Sequence, residues 1–140
     1  MKTYSGKIIK LGNKQVWVFG SNTEGRHGKG AALFGLQKCG AIYGRARGPQ
    51  GRSYAIITKN LRKRKHPSVS KEFIIEQIGE FYEFAKKYWY LEFIIAYSGT
   101  GVNLNGYSNQ EMADMFSQFP IPENIVFEEE FSKLLLCQSL

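Results

Sequence analysis

Short apolar runs alternate with longer segments of helical periodicity along this chain. Val16-Trp17-Val18-Phe19 is a β-branched and aromatic run that ends in Gly20, and the pattern predicts a buried strand over 15–20. Tyr54-Ala55-Ile56-Ile57 repeats the pattern and predicts a second buried strand over 53–58, and Phe93-Ile94-Ile95-Ala96 predicts a third over 93–98. Ile125-Val126-Phe127 reads as a last short strand, and residues 3–10, with Ile8 and Ile9, as an edge strand. Helical spacing is clearest over 70–88. There Ile74, Ile78, Phe81, Ala85 and Tyr88 form one apolar stripe, and Ser70 can cap the start. Gly30 to Cys39 reads as a helix, with Gly35 weakening it and Gly40 as its stop. Ser108-Asn109-Gln110-Glu111 is a capping-box pattern that opens a short helix through Met115 or Phe116, which Pro120 and Pro122 end.

The remaining segments read as connections. Gly12-Asn13 is a turn, 44–52 a loop without packing pattern, and 59–67 a basic loop closed by Pro67. The tail from Glu128 to Leu140 can pack as a short helix through Leu134, Leu135 and Leu136. The order is β, β, α, β, α, β, α, β with a terminal helix. Such alternation predicts an α/β domain: a mostly parallel, mixed sheet with helices on both faces, in three α/β/α layers.

Composition narrows the class. A chain of 140 residues with 43% hydrophobic and 14% aromatic residues fits one domain with a real core. No stretch reaches the ~18 apolar residues of a membrane span, and Met1 to Lys10 has no signal-peptide run. Cys39 and Cys137 stand far apart in no metal spacing, so the reading is a reduced, cytoplasmic protein without disulfide, metal or cofactor. The net charge of +7 favours an anionic partner without choosing among nucleotide, nucleic acid and acidic protein.

The candidate chemistry sits where strands run into glycine-rich turns. Phe19-Gly20-Ser21-Asn22 continues to Gly25-Arg26-His27-Gly28-Lys29-Gly30-Ala31-Ala32. Tyr97-Ser98 continues to Gly99-Thr100-Gly101 and later Gly106. Two such loops at strand carboxyl ends predict a cleft for a ligand with two phosphates, cradled by backbone N–H groups. Gly28, Lys29, Gly30, Gly99, Thr100, Gly101, Val102 and Asn103 are the candidate cradle. Asn22 reads either as a ribose contact or as a turn residue that bonds its own backbone.

Asn22 to Ala32, Tyr54-Ala55-Ile56-Ile57-Thr58-Lys59, and Ser98-Gly99-Thr100-Gly101 with Gly106-Tyr107 occur in an order that resembles the macrodomains, ADP-ribose-binding α/β/α modules. The resemblance covers roughly residues 15–128 and treats 1–140 as a single macrodomain-like domain. Ile57-Thr58-Lys59 is similar to the terminal ADP-ribose protein glycohydrolases and to antitoxins that remove ADP-ribose from DNA. The chain also looks like small macrodomain-like proteins of phages and bacteria. The resemblance implies an ADP-ribose-type ligand, free or carried on a nucleic acid or protein, with the distal ribose near Asn22, His27 and Lys59.

The resemblance makes Lys59 the candidate catalytic amine, able to attack the anomeric carbon and form a Schiff base. Phosphate contact and a plain surface lysine are the other readings of Lys59. His27 is a candidate acid–base group or phosphate donor, and Glu24 a reserve base. The acids that such hydrolases use are absent at the matching positions: Val102-Asn103-Leu104-Asn105 follows the second loop, and Lys29 stands in the first. Glu111 and Asp114 read as helix-start carboxylates.

Binding without hydrolysis, as sequestration of a signalling nucleotide, therefore stands beside removal of ADP-ribose. A competing class is a basic nucleic-acid-binding protein with structural glycine loops. Lys59 and Arg62 to Lys65 would neutralise phosphates, and Tyr43, Tyr54 and the 88–90 aromatics would stack on bases.

Overall fold

The computed structural model describes residues 1–136. Six strands form one sheet in the order β1-β6-β5-β2-β4-β3. They are β1 (Thr3–Tyr4), β2 (Gln15–Asn22), β3 (Gly48–Gln50), β4 (Ser53–Lys59), β5 (Glu92–Ile95) and β6 (Ile125–Glu128). All neighbours pair parallel except β3, which runs antiparallel to β4. The helices are α1 (Gly30–Lys38), α2 (Lys71–Lys87), α3 (Asn109–Phe116) and α4 (Glu129–Ser132). None of the helices is long and apolar enough to cross a membrane.

Strand alternation divides the core between two faces of the sheet. Trp17, Phe19, Ala55, Ile94 and Val126 point to the face that α1 and Leu11 cover. Val18, Tyr54, Ile56, Phe93, Ile95, Ile125 and Phe127 point to the other face, against Ile74, Ile78 and Phe81 of α2, Met112 and Phe116 of α3, and Phe131 of α4. Three layers result. Gly35 lets α1 sit close: a Cβ there would lie 3.1 Å from the Phe19 ring.

Local signals decide the ends of the helices. Ser70 accepts the N–H of Phe73 at the start of α2. Ser108 and Glu111 close a reciprocal capping box on α3. Asn124 donates from its amide to the carbonyls of Ala85, Tyr88 and Leu91, tying off the end of α2.

Several expectations are corrected. The edge strand over 3–10 is reduced to Thr3–Tyr4, because only these residues pair with β6. The segment 44–52 is not all loop: Gly48–Gln50 forms an edge strand, the place where Pro49 is tolerated because no donor is needed there. The strand over 93–98 stops at Ile95, with Ala96 N–H donating to the Val18 carbonyl as the chain turns away. The short tail helix precedes the Leu134–Leu136 run rather than containing it. Cys39 is a buried free thiol at the end of α1, pushed up to about 11 by burial. Cys137 and the end of the tail lie outside the described residues.

Candidate functional site

The chain leaves β2 toward β4 and leaves β5 toward β6, in opposite directions from two adjacent strands. Their carboxyl ends therefore diverge and open a crevice, the usual ligand position in open α/β sheets. Two adjoining hollows of about 280 and 240 Å³ occupy it. They share Gly20, Lys29, Ala32, Thr58, Leu104 and Asn105.

A β-bulge shapes one wall. Ser21 pairs with Ile57 but Asn22 pairs with Lys59, so Thr58 is the extra residue on β4. Bulges re-aim side chains, and here Lys59 lines the first hollow beside Asn22 and Arg26. Thr23 N–H then donates to the Lys59 carbonyl at 3.0 Å, tying the two strand ends together.

The first glycine loop opens α1 onto the cleft. Lys29 is the N-cap residue but makes no side-chain cap, and no acid stands in the first turn. The leading N–H groups of a helix have no partner within it. Here they sit at the crevice with Gly28, Lys29, Gly30, Ala31 and Ala32 among its lining. Gly30 has φ +55, and a Cβ at Gly28 or Gly30 would meet nothing within 4 Å.

The second loop is different. Gly99 N–H donates to Glu128 Oε1 at 2.8 Å, and Thr100 N–H to Ser98 Oγ at 3.2 Å. Neither Gly99 nor Thr100 lines the two hollows, though Thr100 lines an adjoining one of about 790 Å³. Gly99 is a packing glycine: a Cβ would fall 2.5 Å from the Glu130 backbone. Gly101, Val102 and Asn103 do line the second hollow. The Asn103 amide itself donates to the Tyr107 carbonyl and Asn109 Oδ1, and so holds the loop. Val102 is 94% exposed and Leu104 62% exposed, an apolar lip beside the crevice.

Asn22 is similarly engaged. Its Oδ1 accepts the N–H groups of Glu24 and Arg26, and its Nδ2 donates to the Arg26 carbonyl. His27 is 0% exposed and lines neither hollow. Its Nε2 lies 3.1 Å from the Arg45 carbonyl and 3.2 Å from Gln50 Oε1, and its ring meets Phe19 edge-on at 5.1 Å. It braces the loop from behind. Glu24 pairs with Arg26 at 3.8 Å and also stands outside the lining.

No Asp or Glu lines either hollow, whereas Arg26, Lys29 and Lys59 do. No group of His, Cys, Asp and Glu among the described residues could hold a metal ion.

No protein-family model, curated protein or solved structure matches the chain.

Sequence reasoning missed two parts of this site. Tyr97 reaches under Gly20, where a Cβ would lie 2.5 Å from its hydroxyl and 3.0 Å from Thr58 Oγ1. Burial pushes this phenol up to about 12, against the hydrogen bonds from Thr58 and Asn105. The signal was a glycine inside an apolar strand, which marks a close approach. Glu128, which stands in a run of three acids, is the second part. It is buried and accepts N–H groups from Gly99, Glu130 and Phe131 at 2.8, 2.9 and 2.9 Å. Burial raises its pKa, but these donors outweigh that and hold the carboxyl below its ordinary range.

Proposed function

We propose that the crevice at the ends of β2, β4 and β5 binds ADP-ribose or a related NAD-derived nucleotide. One observation carries this reading. An uncapped helix N-terminus opens into a crevice lined by Arg26, Lys29 and Lys59 and by no carboxylate. Backbone N–H groups and a positive helix end favour phosphate oxygens there.

The diphosphate lies between the start of α1 and the 101–103 backbone. A further hollow of about 790 Å³ shares Gly30, Ala31, Ala96 and Ser98 with the crevice and is walled by Tyr4, Ile8, Trp17 and Phe34. That apolar chamber suits the base, since nucleotide sites combine apolar walls with few polar contacts. The distal ribose falls toward Asn22 and Lys59. The three-layer architecture agrees with the macrodomain resemblance of the three sequence segments.

The reading is a binder first. No carboxylate lines the two hollows, and Glu128, which lines the adjoining chamber, already accepts three backbone N–H groups, so a water at the distal ribose would have no general base of that kind. Removal of ADP-ribose from a nucleic acid or protein rests on the Lys59 amine alone. A Lys59→Ala variant that keeps full turnover ends the enzymatic version and leaves sequestration.

Calorimetric titration with ADP-ribose at two salt concentrations, with AMP and NAD as controls, tests the proposal. Micromolar binding with a shallow salt dependence supports it. The exposed Arg62, Lys63, Arg64 and Lys65 run favours the nucleic-acid reading instead. That reading predicts no ADP-ribose heat and single-strand binding that falls steeply with salt.

A further inference from the structure

The amino-terminal edge of the sheet, opposite the crevice, carries a second built surface. Between α2 and the 119–124 segment lies a hollow of about 940 Å³, larger than either part of the crevice. Its apolar wall is Tyr82, Trp89, Phe119, Pro120 and Pro122. Trp89 is 75% exposed and Phe119 38% exposed. Contiguous exposed apolar surface of this kind marks interaction sites.

The wall is held in place. Phe119 rests on α2 at Gly79, where a Cβ would come 3.2 Å from its ring. A glycine inside a helix weakens the helix, and here it seats an exposed aromatic ring. Phe119 also meets Tyr82 edge-on at 6.5 Å. The Asn124 amide bonds the Tyr88 and Leu91 carbonyls on either side of Trp89 and so fixes that turn.

The rim reverses the charge of the chain. Glu76, Glu80, Glu83 and Glu123 surround the hollow in a protein of net charge +7. Glu80 pairs with Arg47 at 2.8 Å and Glu83 with Lys86 at 2.7 Å. Glu76 and Glu123 have no ion pair among the described residues. Such a rim repels phosphates and attracts cationic side chains.

We propose that this hollow docks a segment of a protein partner that carries a large apolar side chain flanked by Lys or Arg. The apolar group enters between Trp89 and Phe119, and the cations meet Glu76 and Glu123. Trp is among the residue types enriched at the dominant positions of such contacts.

The test is selection of a phage-displayed library of random peptides on the full chain, followed by fluorescence titration of the enriched peptides. The expected consensus is an apolar residue with neighbouring Lys or Arg. Binding should weaken about tenfold or more in Trp89→Ala and in the Glu76→Lys, Glu123→Lys double variant. It should not change in Lys59→Ala. Circular dichroism on each variant establishes that it is folded, as the changed side chains project into solvent.

Absence of any enriched consensus overturns the proposal. Equal binding by the charge-reversed variant does the same. Self-association of the wild type in sedimentation, abolished by the double variant, would assign the hollow to a second copy and also overturn it. None of these outcomes bears on the nucleotide crevice.

Discussion

The two glycine loops look alike in sequence and are held differently in the fold: the first engages the N–H groups of Glu24, Gly25, Arg26 and Gly28 ahead of its helix. The first leaves its helix end open, with Gly28 and Gly30 facing free space and Lys29 making no cap. The second is braced at its start and its end. Glu128 holds Gly99, Ser98 holds Thr100, and Asn103, Asn105 and Asn109 stitch the rest to Tyr107, Tyr97 and Gly101. The lesson is that glycine spacing marks close backbone approach, while anion capacity depends on which N–H groups the protein has already engaged. The open N–H groups of the first loop are those at the start of α1, and Gly99 and Thr100 of the second are held by Glu128 and Ser98.

The comparison breaks most directly at Glu128. Glu128→Ala strips the acceptor from three buried or half-buried N–H groups. Each orphaned donor costs about 1–3 kcal/mol, so the variant should lose about 3 kcal/mol or more in urea unfolding. A loss below about 1 kcal/mol would mean that the second loop is held by something else.

Glycine substitutions separate the loops next. Gly99→Ala forces a Cβ against the Glu130 backbone and should cost about 1–3 kcal/mol. Gly28→Ala and Gly101→Ala meet open space and should stay within about 0.5 kcal/mol of the wild type. Thermal unfolding of the three variants checks the contrast. Gly28→Ala should nevertheless weaken ADP-ribose binding, because Gly28 lines the first hollow.

Asn22→Ala should cost about 1 kcal/mol, since its amide closes the first loop through three hydrogen bonds. Loss of binding in that variant would report loop shape as much as contact. Lys59→Ala, which removes a lining side chain that makes no hydrogen bond or ion pair among the described residues, is the cleaner probe of the crevice.

The smallest effect is in acid. The Glu128 carboxyl is lowered from the ordinary 4.5, so its stabilisation is complete above that pH and is lost as pH falls through the folded value. Glu92 and Glu111 are shifted in the same direction by hydrogen bonds and add to the decline. Urea midpoints measured from neutral pH down to below 4.5 should fall for the wild type and fall less for Glu128→Gln.

Local and periodic features were legible in the sequence. The α2 stripe from Ile74 to Ala85, the Ser70 cap and the Ser108–Glu111 box all appear where spacing placed them. Features made by distant residues were not. Gly48-Pro49-Gln50 has no strand signal and is a strand only because β4 is beside it. His27 reads as a polar loop residue, yet Gln50 and Arg45, far along the chain, bury it. Glu128 reads as one of a run of acids, and only the return of Gly99 to α4 makes it an anchor. The crevice was legible as a place, because strand ends and glycines mark it. The division between open and occupied N–H groups was not, because it is set by tertiary partners.

The most direct test follows each backbone N–H during titration with ADP-ribose by two-dimensional ¹⁵N–¹H spectroscopy. The account predicts the largest shifts at Gly30, Ala31 and Ala32 and at Gly101 and Val102, with Gly99 moving little. Shifts confined to Arg62–Lys65, or no shifts at a ligand concentration that saturates micromolar sites, would contradict it.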